Sequence, residues 1–442
     1  MKNHSKVSAV IEAAVVFALV FVTSFYDVFY SFDSLLRDKL YQTPRGINNK
    51  IKIIAIDDEA LREYGPFGTW SRGVYADIIN TLGEYPAAVA MDIMVFGDMD
   101  SQGDKALSEA CRNSGRVVAG SYISYTSAYK TDENGKPYID RFHIEQIEQP
   151  IAAADCITGF VNASPDDDGI VRSAFLTVSA PELYGDESFG SLAAETYYLY
   201  CKNTGTAANT PTLDDNGRMW ISYAGRPGDY EHISMSSLLD GSVDPRIFTD
   251  CIVLVGAYAS GLQDQFSVPN SSDQMFGVEI HANIIQGLLD GKCPVPANRV
   301  LSALAAAAAA VLAYLISKYS KVKISTPITI VMTAAYIAAG VMLNGSCLTI
   351  PILYAPLFMV ICYLVNLGRK YAEEKRKITA AFKKYVAPQV VEEIAKSGSY
   401  HIKLGGENRH IAVLFVDIRG FTPMSESLEP EQGVDILNSY LH

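Results

Sequence analysis

The sequence predicts a multi-pass membrane protein: an α/β extracytoplasmic domain, four transmembrane α-helices and a cytoplasmic tail. Three observations predict it. Four long apolar runs interrupt the chain, at residues 7–26, 300–317, 324–343 and 349–367. The charge is segregated: residues 27–298 hold 19 Lys+Arg and 38 Asp+Glu, a net of −19, and the remainder holds 17 and 11, a net of +6. Between the first run and the other three, short apolar strand patterns alternate with amphipathic helical ones. The whole-chain values, 442 residues and a net charge of −13, hide this division. They do exclude a single ordinary domain, a disordered chain and a basic nucleic-acid binder.

Each apolar run is near the length a helix needs to cross a bilayer. The first follows Lys2 and Lys6 and is broken only by Glu12. A cleaved signal peptide is its rival, but no A-x-A site follows, so the run reads as an anchor. Ala303 and residues 305–310 give the second run a small-residue face suited to close helix packing. Lys318, Lys321 and Lys323 follow that run, residues 344–348 carry no charge, and Arg369, Lys370, Lys375, Arg376 and Lys377 follow the fourth. An inside N-terminus places every basic cluster in the cytoplasm. Residues 27–298 are then outside, and everything after 368 is inside. The boundaries read as 1–26 for the tail and first helix, 27–298 for the exported domain and 299–368 for three more helices. Residues 369–405 read as a helical coupler and 406–442 as a final piece.

In the exported domain, strands are expected at 51–56, 87–96, 116–123, 157–161, 218–223 and 251–255. Helices are expected at 74–82, 104–111, 191–200 and 278–289. Apolar strands between amphipathic helices argue a largely buried sheet. Cys111, Cys156, Cys201, Cys251 and Cys293 are odd in number and irregularly spaced, so they form no disulfide framework, although one bridge stays open. Asp98, Asp100, Gln102, Gly103, Asp104 and Glu109 approach a calcium-loop spacing, but Gln102 breaks it and Asp104 reads more simply as a helix N-cap. Residues 166–169, Asp-Asp-Asp-Gly, read as a turn, not a metal site. Asp57, Asp58 and Asp92 sit at strand ends, where α/β pockets form; capping is the favoured reading for them.

The segments FDSLLRDKL, IKIIAIDDEAL, WSRGVYADIINTL, AAVAMDIMVF and FGVEIHANIIQGLLDG resemble a CHASE-type extracellular sensor domain, the second type of that naming. The resemblance spans nearly all of residues 27–298. It implies a sensor ahead of three clustered membrane helices, as in bacterial receptor cyclases and kinases. It names no ligand, so the extracytoplasmic ligand and its contacts are unknown.

The tail continues as a charged amphipathic stretch, residues 369–387, with a second short helix expected from Pro388. These read as a coupler pairing two chains. Residues 410–416 form an apolar run, expected as a strand, that delivers Asp417 at its end; Gly420 then turns the chain toward a helical pattern at 430–441. A carboxylate and a neighbouring carbonyl suit a hard divalent cation, and amides near a helix start suit phosphate. VLFVDIRGFTPMSE and ILNSYL are similar to the opening of the class III adenylate/guanylate cyclases, and FKKYVAPQVVEEI resembles the segment before that domain. This resemblance implies the start of an α+β, ferredoxin-like catalytic domain. It implies metal binding at Asp417 and the Ile418 carbonyl, and phosphate binding at Gly420, Phe421 and Thr422. Asn438 matches a helix Asn of structural role. Also implied are two divalent ions, Mg or Mn, in the complete enzyme, ATP or GTP as substrate, cyclic AMP and pyrophosphate as the products from ATP, and a homodimer. Some 35 residues of a domain of about 180 are present, so the chain is expected to be a truncated piece, inactive alone. A sensor with another output, such as a histidine kinase, is the alternative. Nucleic acid is not an expected partner.

Overall fold

A computed structural model describes residues 2–42, 44–131, 135–382, 410, 412–426 and 428–441. The chain forms two compact units, Met1–Tyr371 and Ala372–His442.

The first unit is built on a seven-stranded sheet. It begins with helices α1 (Lys2–Phe25) and α2 (Tyr30–Tyr41). Strand β1 (Ile51–Ile56) follows, then helices α3 (Asp58–Tyr64) and α4 (Gly73–Leu82). Next come β2 (Ala88–Asp92), α5 (Ser101–Ser114), β3 (Val117–Thr131), β4 (Pro137–Glu148) and β5 (Ile157–Phe160). Helix α6 (Leu192–Thr204), β6 (His232–Ser234), β7 (Ile252–Ala257) and α7 (Gly277–Asp290) complete the domain.

The strand order is β6-β1-β7-β2-β3-β4, with β5 also on β3. Every pairing in this sheet is parallel except β3–β4. Parallel strands carry helices on both faces, and the side chains divide accordingly. Ile51, Ile53, Ala88, Ala90, Ile252 and Leu254 pack under α6 and α7. Ile54, Ile56, Val89, Met91, Val253 and Val255 pack under α4 and α5. The period-2 pattern therefore buries both faces, which is why these strands read as continuous apolar runs.

The sequence places most elements within a few residues, with three corrections. Residues 218–223 do not join the sheet: Arg218–Trp220 pairs with Ser173–Phe175 in a separate ribbon. Strand β3 runs on to Thr131 as a hairpin with β4. That hairpin leaves the core, with Tyr129 exposed, so it lacks an apolar signature. Asp104 is not an N-cap. Asp100 caps α5, accepting the Gln102 N–H at 3.2 Å, and Asp104 lies one turn inside, paired with Arg72 at 2.7 Å. All seven cysteines are free thiols.

Helices α8 (Arg299–Tyr319), α9 (Val322–Gly345) and α10 (Tyr354–Phe382) form a bundle with α1. The small face expected of the second run is buried: Ala303, Ala306, Ala307, Ala310 and Ala313 lie inward. The last four of these meet Val20 of α1 and Tyr354, Ala355, Phe358 and Met359 of α10. Glu12 accepts from Tyr314 Oη at 2.6 Å, from Lys318 Nζ at 3.2 Å and from Arg369 Nη1. These contacts make α1 an integral bundle helix.

Among the described residues, three helices are long and apolar enough to cross a membrane: Val7–Phe25, Arg299–Tyr319 and Val322–Gly345. The fourth expected span is not among these three. Leu348–Thr349 pairs with Val295–Pro296, and α10 starts only at Tyr354. Its uncharged part, residues 354–368, covers about 22 Å of a helix that runs on to Phe382.

Helix α2 ties domain to bundle. Its Asp33 accepts the N–H groups of Ile352 and Leu353, each at 2.8 Å, just ahead of α10. Its Asp38 pairs with Arg172 at 2.7 Å. Arg172 is 2% exposed and also binds Asp166 at 2.9 Å and Asp168 at 2.8 Å. The Asp-Asp-Asp-Gly segment is the expected turn, closed by Gly169 N–H to the Asp166 carbonyl at 2.8 Å. Its outer two carboxylates are taken up by Arg172.

In the second unit, α11 (Phe421–Glu426) and α12 (Pro430–Leu441) form. The strand expected at 410–416 does not. Residues 412–418 have no regular structure, and Leu414 and Phe415 are 86% and 92% exposed. A strand needs a partner for its N–H and C=O groups, and no described strand of this unit supplies one. The short helix expected from Pro388 lies outside the described residues.

Arg172→Met removes the cation that three acidic partners share. Breaking a buried ion pair costs roughly 3–5 kcal/mol. The melting temperature of the purified chain should fall by on the order of 10 °C. An unchanged melting curve would refute the cage's structural role.

Candidate functional site

The C-terminal ends of parallel strands form the usual ligand crevice of open α/β sheets. Here β2 ends in Asp92, β7 in Ala257, and β5 runs on into Val161 and Asn162. These residues line a cavity of about 310 Å³ together with Ser164, Phe266, Asp264, His281 and Ile284.

Helix α7 is brought onto the crevice by two glycines. Gly256 of β7 pairs with Asp92 of β2. A Cβ there would lie 2.9 Å from Val278 Cβ, so glycine permits the close approach of the helix. Gly277 opens α7 with the Asp264 carboxylate against it; a Cβ would lie 2.6 Å from Asp264 Oδ2. One turn on, at i+4, His281 falls on the same helix face and enters the cavity wall.

Three titratable groups thus converge. His281 Nε2 lies 3.9 Å from Asp92 Oδ1, and both side chains are under a tenth exposed. Asp92 Oδ2 and His281 Nδ1 are buried without a hydrogen-bond partner. Burial pushes the Asp92 carboxyl up to about 7. Burial, reinforced by the Asp92 charge and opposed by His281, raises Asp264 to about 6. Burial lowers His281 to about 4, against the pull of Asp264 and the Val161 backbone. The imidazole is therefore neutral near pH 7, and its approach to Asp92 is not an ion pair. Among the described residues, no Lys or Arg lines the cavity. Buried polar atoms without partners, in a largely apolar cavity, are a binding-site signature.

The strand-end acids separate cleanly by what they touch. Asp57 is a cap, accepting from the Ala60 N–H at 3.0 Å and from Ser234 Oγ at 3.1 Å. Asp58 is exposed in the first turn of α3. Asp92 is a cavity residue, so the capping reading fails for it. Asp264 and His281 are additions of the structure, since neither closes a strand pattern in the sequence. His281 lies within the FGVEIHANIIQGLLDG motif, which is the signal that marks it.

In the second unit, Asp417 is exposed, and the Ile418 carbonyl accepts the Phe421 N–H at 3.1 Å. Gly420 adopts φ +77°, and its carbonyl accepts the Met424 N–H at 3.2 Å. Thr422 lies in α11. Among the described residues, no group of three or more His, Cys, Asp or Glu is arranged to hold a metal.

The CHASE2 domain family matches residues 13–317. The chain belongs to the CHASE2 family. The cavity lies inside this extracellular sensor domain, and the match takes in residues 13–25 of α1 and most of α8. An adenylate cyclase of Anabaena cylindrica is 37% identical over 67 residues, 15% of this chain. The chain spans 13% of that relative's length. No solved structure matches the chain.

Asp92 gives a pH signature. Its folded pKa lies above its unfolded value, so the folded state binds the proton more tightly. Stability is then lost as pH rises from about 4 to about 7. Asp92→Asn cannot ionise and escapes that loss; it also removes the charge that raises Asp264. The variant should match the parent at pH 4 and exceed its stability at pH 8, by on the order of 4 kcal/mol. Melting curves of the purified chain across this range test it, and parallel profiles for the two proteins would rule it out.

Proposed function

We propose that this CHASE2 protein is the sensory and membrane-coupling part of a receptor nucleotide cyclase. The observation that carries the reading is the Asp92–Asp264–His281 cavity within a sensor domain whose two ends run directly into a helical bundle. In this reading residues 27–298 lie outside the cell, both termini lie in the cytoplasm, and α10 serves as the fourth crossing. The basic groups support that orientation. Lys318, Arg369 and Lys370 gather with Glu12 at one end of the bundle, and Asp33 and Tyr41 meet the bundle at the other.

The output is cyclisation of ATP, or GTP: the 3′-hydroxyl oxygen attacks the α-phosphorus, pyrophosphate leaves, and the hydroxyl proton is lost. Similarity to the Anabaena cylindrica adenylate cyclase and the run VDIRGFT support this output. In the proposed enzyme, Asp417 and the Ile418 carbonyl hold Mg or Mn, and Gly420, Phe421 and Thr422 face the phosphates. A catalytic region continuing past His442 supplies the remaining ligands, and two copies build the site between them. The metals activate the hydroxyl and neutralise phosphate charge.

The extended gene, expressed in cells lacking their own cyclase, should restore cyclic nucleotide formation. Asp417→Asn should reduce it by more than about 100-fold at equal protein level, beyond the loss typical of supporting residues at metal sites. No cyclic nucleotide from the extended gene, or full activity in the variant, would overturn the cyclase output.

A further inference from the structure

The sensor cavity has a chemistry that narrows its ligand. It presents two carboxylates, Asp92 and Asp264, and one neutral imidazole, His281. Among the described residues, it presents no Lys or Arg to either acid. Asp92 Oδ2 is buried and meets no donor, and His281 Nδ1 is likewise unpartnered. The remaining wall is mainly apolar: Ile93, Val161, Leu262, Phe266, Ile280 and Ile284 contribute.

Elsewhere in the same domain, buried acids have a cation or hydrogen-bond donors, and fully buried Glu279 accepts from the Gly228 N–H at 2.8 Å and from Tyr258 Oη at 3.2 Å. Asp38, Asp166 and Asp168 share Arg172, and Asp104 has Arg72. A buried carboxylate with no counter-charge is costly, and a well-placed cation offsets part of that cost. An anion meets the opposite balance here, with like charge and no basic partner. A neutral ligand leaves the excess negative charge in place.

We propose that the cavity binds a small organic ammonium compound with an apolar body, its N–H groups donating to Asp92 Oδ2 and the Asp264 carboxylate. This rests on the reading of the cavity as the sensor site. At roughly 30 Å³ for each water-sized group, the cavity holds about ten non-hydrogen atoms. The apolar body lies along Val161, Phe266 and Ile284, and His281 Nδ1 adds one more polar contact. Binding requires ionised carboxylates, so it competes with protons. Affinity should rise with pH through the range in which Asp92 and Asp264 lose theirs.

The test uses the full 442-residue chain in lipid nanodiscs, with cyclohexylamine, butylamine and the neutral shape-mimic cyclohexanol as probes. Calorimetry at pH 8 should show at least tenfold tighter binding of cyclohexylamine than of cyclohexanol. The same amine should bind at least tenfold more weakly at pH 5.5, a comparison that needs no variant. Asp92→Asn, expected to fold at least as well as the parent, should lose the preference for amine over alcohol. Equal affinity for amine and alcohol, an amine affinity independent of pH, or a preference kept in Asp92→Asn would overturn the proposal. So would absence of amine binding, or binding of Zn²⁺ alone.

A panel of carboxylate, neutral and metal probes separates this failure from failure of the sensor reading. If one of them binds and Asp92→Asn changes its affinity, the cavity remains a sensor site of another ligand class. If none binds, and filling the cavity with Ile284→Phe leaves the cyclase response of the extended gene product to extracytoplasmic signals unchanged, the sensor reading falls as well.

Discussion

The first unit depends on one buried cation. Arg172 is enclosed by Asp38 of α2 and by Asp166 and Asp168 of the turn beside it. The guanidinium fork suits this role because it offers several N–H donors in a fixed plane. Through Asp38 it seats α2 on the domain. Through Asp33, just over one turn earlier on that helix, the same α2 binds the backbone entering α10. The buried side of α2 is therefore polar, with Asp33, Ser34 and Asp38 inward, while Leu35, Leu36 and Leu40 face out. A helix that buries its acids cannot be held by apolar packing alone, so the ion pairs set its position.

The cavity inverts this logic. Asp92 and Asp264 are placed among buried groups, as are the acids around Arg172, but have no cation, and burial accordingly raises both. Fully buried Glu279 also lacks a cation but accepts from the Gly228 N–H and Tyr258 Oη, whereas Asp92 Oδ2 meets no donor, which marks where fold and function diverge. The cost is local, because the surrounding sheet is packed on both faces. Such tension is expected where a site is shaped for something other than its own stability.

How much of this is legible in the sequence follows from which signals the local physics leaves behind. Strand β1 is readable to the residue, because a strand buried on both faces is a continuous apolar run bounded by polar residues. The β3–β4 hairpin is longer than its pattern suggests, since residues 126–131 of β3 alternate no clear apolar face and Tyr129 is exposed. Asp100 and Asp104 both precede an amphipathic pattern, and only the position of Arg72 decides which caps and which pairs. The run at 349–367 has the composition of a span, yet a short pairing with Val295–Pro296 consumes its first turn. Residues 412–416 have a strand's composition without a strand's partner among the described residues. Asp92 is visible as a strand-end acid. His281 is marked only by lying in the FGVEIHANIIQGLLDG motif, because a histidine within a regular apolar helix otherwise reads as core, and the glycines that draw it to the sheet act through neighbours distant in sequence.

Those glycines also define how the cavity meets the bundle. Gly256 and Gly277 set the N-terminal end of α7 against Asp264 and β7, so the start of that helix forms part of the cavity wall. Helix α7 is 14 residues long, about 21 Å at 1.5 Å per residue. Its far end leads through Val295–Pro296, which pairs with Leu348–Thr349 ahead of α10. A rigid helix with one end in the cavity and the other on that ribbon gives the two a shared boundary. Helix α10 receives a second constraint at the same point, from Asp33 of α2. Its 29 residues then continue without a break past Arg369, where Glu12 of α1 holds it again. The entry to α10 is thus held from both ends of the sensor domain, by α2 before the sheet and by the ribbon after it. A displacement of α7 relative to α2 is taken up in the parts of this route without regular structure, residues 291–294 and 350–353, because the helices on either side are continuous.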